Sequence, residues 1–117
     1  MTAFREIYGN SIRIKIIEFL MEYQYGDFAI GDMARELKIS RPKAYEIMAE
    51  YAKKGFINKT RIMGRTQLYK LNRDNPLVKI HLRNFRECIK MSIEEQRIKN
   101  AHSNSSISTG TVSAKGR

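Results

Sequence analysis

The sequence predicts a mainly α-helical chain carrying one small β-hairpin, and three observations lead there. Residues 32–55 (DMARELKISRPKAYEIMAEYAKKG) read as two short helices joined by a tight turn. After Gly55 the apolar period changes from helical to alternating, with a glycine between two β-rich runs. From Pro76 to about Lys99 no glycine and no further proline appears, so a single long helix is expected.

In chain order, Phe4, Ile7 and Tyr8 are spaced for a short helix or an arm. Asn10 or Ser11 then caps a helix from Ile12 to about Tyr23. Its buried face is expected from Ile12, Ile16, Ile17, Phe19 and Leu20, with Arg13, Lys15, Glu18 and Glu22 turned outward. A turn at 24–27 leads to Phe28-Ala29-Ile30, which is short enough for one small strand.

The helical pair follows. Its first helix, Asp32 to Leu37, puts Met33, Ala34 and Leu37 on one side, and Lys38-Ile39-Ser40 is the turn. Ser40 stands where an N-cap hydroxyl accepts an orphan amide hydrogen, and Pro42 falls in the first turn, where a missing N–H is harmless. Gly55 can adopt the left-handed conformation that ends a helix. Between them Ala44, Ile47, Met48 and Tyr51 form one buried stripe, leaving Arg41, Pro42, Lys43, Tyr45 and Glu46 outside. An apolar back and a basic front at the start of a helix suit a helix that enters the DNA major groove. An ordinary helical hairpin with a solvated face is the competing explanation.

Phe56 to Ile62 and Thr66 to Leu71 read as the two strands of the hairpin, with Met63-Gly64-Arg65 at its tip. Lys59, Arg61, Arg65 and Lys70 make it basic. A lone hairpin is unstable in water, so it must pack on the helices as a wing beside the second helix of the pair. Charges that merely protect a sheet edge are the alternative.

In the last helix Val78, Leu82, Phe85 and Ile89 recur at steps of four, three and four, a heptad-like seam, while Leu77, Ile80, Met91 and Ile93 widen the apolar area. At roughly 24 residues and 1.5 Å per residue it would span about 36 Å, more than a small domain covers. A second copy of the chain is therefore expected on that seam; folding back on Ile12 to Tyr23 is the alternative. Beyond Asn100 serine, threonine and glycine dominate, and a disordered tail is expected for 101–117. The organisation so read is a DNA-binding domain at 1–75, a dimerisation helix at 76–100 and a tail.

Charge bears on function. The 117 residues carry a net +10, distributed unevenly. Residues 1–37 hold four basic and six acidic side chains, whereas residues 38–99 hold sixteen and six. The excess begins at the turn of the helical pair and continues through the wing, as expected for a polyanionic partner. No apolar run approaches a membrane span, Arg5 and Glu6 interrupt any signal-peptide core, and one cysteine fits a reducing compartment, so a cytoplasmic, nucleoid-associated protein is expected. His81 and Cys88 stand about 10.5 Å apart along a helix axis, too far to share one metal ion. No phosphate loop and no nucleophile–base pairing is evident; neither an enzyme nor a cofactor is called for.

The segments NSIRIKIIEFL, IGDMARELKISRPKAYEIMAEYAKKGFI and GRTQLYKLN resemble winged helix-turn-helix transcription regulators of ArsR- and MarR-like type, particularly small archaeal versions. The resemblance covers about Ile7 to Asn72. It implies a homodimer on double-stranded DNA, with Ser40, Arg41, Pro42, Lys43, Tyr45 and Glu46 at the major groove. Lys59, Arg61, Gly64, Arg65 and Thr66 would meet the backbone or minor groove. ArsR-type metal sensors often carry cysteine pairs or histidine–carboxylate clusters, and this chain shows none. A DNA-organising or partition protein, or a winged domain binding an acidic protein, fits the same residues.

Overall fold

The short N-terminal segment settles as a helix. In the computed structural model, which describes residues 2–107, α1 (Ala3–Tyr8) is capped by Thr2 and α2 (Ile12–Glu22) by Ser11, whose hydroxyl accepts from the amide of Ile14. Strand β1 (Phe28–Ala29) is two residues long, and Ile30 opens α3 (Ile30–Leu37) instead of closing the strand. That helix thus begins two residues before Asp32, because Ile30 is buried with Met33 and Ala34 on its inner face. Then come α4 (Arg41–Lys53), β2 (Ile57–Met63), β3 (Thr66–Leu71) and α5 (Pro76–Ile107).

The small sheet has three strands, not two, in the order β1-β3-β2, all antiparallel. Phe28 pairs with Tyr69 and Ala29 with Leu68, so the segment before the helical pair is stitched to the hairpin. Met63 belongs to β2 opposite Thr66, which leaves Gly64 and Arg65 as a two-residue turn with Gly64 at φ +66°. The register slips between Lys59 and Ile62, a bulge that holds Thr60 and Arg61.

The core is one cluster centred on Ile16, Met33, Ile47, Met48 and Ile57. The stripe of α4 expected to be buried is buried in full: Ala44, Ile47, Met48 and Tyr51. Glu18, expected outside, is buried. Helix α1 lies across it, so the Thr2 hydroxyl donates to one carboxylate oxygen at 2.6 Å and Arg5 Nε to the other at 2.6 Å. A buried carboxylate is tolerable only with such partners.

Helix α5 departs most from expectation. Val78, Leu82 and Phe85, expected on a seam with a second chain, are with Cys88 buried in the core of their own chain. The cause is cover from two helices: Val78 faces Ile17, Leu20 and Met21 of α2, as the fold-back alternative has it, and Phe4 of α1 meets Phe85 edge-on at 5.7 Å. Of the four seam residues only Ile89 stays exposed. From Ile89 to Ala101 every residue of α5 is exposed, and the molecule measures 61 × 28 × 24 Å. The helix passes Lys99 and continues to Ile107, into the stretch expected to be disordered. No glycine or proline occurs there before Gly110, so nothing halts a helix already propagating. The remainder of the expected tail, 108–117, lies outside the described residues. Among the described residues no helix is long and apolar enough to cross a membrane.

Candidate nucleic-acid interface

Helix α4 is held from both ends. Ser40 has extended backbone and its hydroxyl accepts from the amide of Lys43 at 3.1 Å, while Pro42 takes the first turn. At the other end Gly55, at φ +79°, turns the chain out of the helix, and its carbonyl accepts from the side-chain amides of Asn72 at 2.9 Å and Asn75 at 3.2 Å. The preceding turn uses Lys38 in left-handed conformation, φ 58°. On α2, Arg13 grips Glu50 with two guanidinium hydrogen bonds of 2.9 and 3.1 Å. Those bonds, followed by that from Lys54, hold the Glu50 carboxyl below its ordinary pKa. The helix is thereby fixed in rotation, with one polar face turned to solvent.

On that face Arg41, Pro42, Lys43, Tyr45 and Glu46 are all exposed. Lys43 Nζ stands 3.6 Å from Glu46, a loose solvated pair one turn along. Arg41 turns the other way. Its guanidinium lies over the ring of Tyr45, 5.8 Å from the centroid, and against the backbone of Gly31 on α3. Across from it stands the wing tip. Arg41 and Tyr45 on one side and Arg65 and Thr66 on the other bound a single recess of about 310 Å³, completed by Ile30, Gln67 and Tyr69. Of the residues read as helix and wing contacts, Arg41, Tyr45, Arg65 and Thr66 line this recess, whereas Ser40, Pro42, Lys43, Glu46, Lys59, Arg61 and Gly64 do not. Ile30, Gln67 and Tyr69, which also line it, were not singled out from sequence, since the packing of α3 on α4 and the pairing of β1 with β3 bring them there.

Arg61 is placed differently. Instead of projecting with Arg65, it reaches across the sheet to Asp27, ahead of β1, with Nε donating to the carboxylate at 2.9 Å. The Thr60 hydroxyl donates to the same oxygen at 3.1 Å. The bulge turns both side chains toward Asp27, so Arg61 braces the wing. Lys59 and Lys70 lie on β2 and β3, with Lys59 exposed and Lys70 half-buried.

The Arg61 hydrogen bond, followed by that of Thr60, holds the Asp27 carboxyl below the usual aspartate pKa. A pKa lower in the folded than in the unfolded chain stabilises the fold above about pH 4, and that contribution is lost as pH falls through the folded value. Thermal melts of the wild type and Asp27→Asn should differ at neutral pH and converge in acid. A difference constant across pH would show that the brace contributes nothing through its charge.

Among the described residues no group of three or more histidine, cysteine or carboxylate side chains is placed to hold a metal. No protein-family model matches the sequence, and no curated protein is similar to it. Solved structures are. MepR, a transcription regulator of the Staphylococcus aureus multidrug efflux pump MepA, aligns with a TM-score of 0.56 at 16% identity, over 92% of this chain and 86% of that one. The adhesin competence repressor AdcR of Streptococcus pyogenes aligns at 0.56 and 14% identity, over 75% of this chain and 65% of its own. Lactococcus lactis ZitR, solved as a cysteine-to-serine mutant in complex with DNA, aligns at 0.54 and 18%, over 73% and 60%. This chain therefore spans under two thirds of the length of AdcR and of ZitR. At such identities the likeness is one of fold, and the fold is that of winged-helix regulators, with the long C-terminal helix included.

Proposed function

We propose that this chain is a sequence-specific double-stranded DNA-binding protein acting as a homodimeric transcription regulator in the cytoplasm. The observation that carries the reading is the convergence of the α4 N-terminus and the wing tip on one basic face. Arg41 and Arg65 line that recess, Lys43 and Lys59 are exposed on the same helix and hairpin, and no acidic residue bounds the recess among the described residues. In this reading Lys43 and Glu46 face base edges with Tyr45 beside them, and the wing follows the sugar–phosphate backbone. MepR and ZitR, whose fold it shares, have both been solved with DNA. Selection from a random duplex library tests it directly. The expected product is one sequence in two inverted half-sites about 10 base pairs apart, one per protomer. Uniform binding to all duplexes would instead indicate a DNA-organising protein, and no duplex binding a protein-interaction module.

The dimer rests on α5. Ile89 and Ile93 continue the inward stripe of Val78, Leu82 and Phe85 past the end of the chain's own cover, where they are 44% and 56% exposed. A second copy laid along this stretch would cover them. Sedimentation of Ile89→Asp/Ile93→Asp is expected to give monomers that still fold, because neither residue is in the core. A wild-type chain that sediments at 13.7 kDa at tens of micromolar would rule the dimer out.

A further inference from the structure

We infer that the recess between α4 and the wing is a clamp for a single backbone phosphate, and that Arg41 serves this clamp instead of reading a base. The inference rests on the DNA-binding reading above and assigns a role within it. Three observations carry it. First, the guanidinium of Arg41 is seated by its own chain: Nη2, Cζ and Nη1 all lie 3.1–3.2 Å from where a Cβ on residue 31 would stand. A Cβ at that position would press the group by a few tenths of an ångström, and a longer side chain would displace it. Second, the seat and the stack on Tyr45 turn the group toward the wing, where Arg65 bounds the same recess. Third, among the described residues neither Arg41 nor Arg65 has a carboxylate partner, whereas Arg61 is paired with Asp27 and Lys43 with Glu46. Two guanidinium groups around a concave, mostly polar site with hydroxyls of Tyr45, Thr66 and Tyr69 at hand suit a phosphodiester oxygen pair. A base edge, flat and on the floor of the major groove, would need Arg41 extended along the α4 axis, away from its seat. Lys43 and Glu46 remain the side chains free to face bases.

The test titrates full-length protein against a duplex selected by the wild type and a scrambled duplex, at several salt concentrations. Arg41→Ala should weaken binding to both duplexes by a similar factor, roughly tenfold for one charge-assisted contact, leaving the selected-to-scrambled ratio unchanged. Gly31→Leu keeps the charge but fills the seat. It should weaken both duplexes in the same way without lowering the melting temperature, since leucine favours a helix more than glycine. If one phosphate is shared, Arg41→Ala/Arg65→Ala should lose less than the product of the single losses, and its log–log salt slope should shrink by ~0.9 per protomer. Independent losses with a slope change of ~1.8 per protomer would mean two separate phosphates and overturn the clamp. Loss of the selected duplex alone in Arg41→Ala would make Arg41 a base reader and also overturn it. A wild-type chain that binds neither duplex would overturn the DNA reading and the clamp together.

Discussion

Phe85→Ala is expected to lower the unfolding free energy by about 3–5 kcal/mol, the usual cost of deleting a buried phenylalanine ring. In a chain of 117 residues this corresponds to a melting temperature at least about 10 °C lower. The magnitude follows from where the ring sits. It is 8% exposed, edge-on to Phe4, and joins α5 to α1 within the same core as Leu82 and Val78. The empty volume would also loosen α1, whose Phe4 packs on Tyr8 at 4.6 Å and has no comparable anchor elsewhere among its aromatic contacts. Thermal unfolding followed by circular dichroism measures the effect. Had Phe85 stood on a seam between two chains, alanine there would shift the monomer–dimer balance and leave the monomer's own melting temperature unchanged. That outcome would return Phe85 to the surface.

The contrast shows which parts of this fold a single sequence can disclose. Helix α4 was legible almost to the residue because its signals are local: Ser40 caps, Pro42 starts, Gly55 stops, and the buried stripe repeats every three or four positions. The hairpin was legible for the same reason, with Gly64 at its turn. Contacts between distant residues were not. Nothing in the local pattern pairs Phe28 with Tyr69, sets Asp27 against Arg61 thirty-four positions away, or seats Arg41 on Gly31. The apolar spacing of α5 is equally compatible with burial inside one chain and between two. The positions of α2, which covers Val78, and of α1, a helix of six residues too short to announce its packing on Phe85, bury this face within one chain. Glu18 follows the same rule: a carboxylate on a helix reads as exposed until Thr2 and Arg5 are seen above it.

The second large effect concerns reading itself. Lys43 is exposed on the first turn of α4, its amide bonded to the Ser40 cap and its ammonium held only by a solvated pair with Glu46. A side chain placed there can reach a guanine edge, a contact worth about 1–3 kcal/mol of discrimination. Arg65, at a two-residue turn of the wing, is suited to phosphate, which carries little base information. The decisive measurement is therefore the ratio of affinities for a selected and a scrambled duplex, taken for the wild type, Lys43→Ala and Arg65→Ala at matched salt. Lys43→Ala is expected to lower the ratio about tenfold or more, while Arg65→Ala weakens both duplexes alike and keeps the ratio. A Lys43→Ala protein that retains the wild-type ratio, beside an Arg65→Ala protein that loses it, would contradict the assignment of α4 as the reading element.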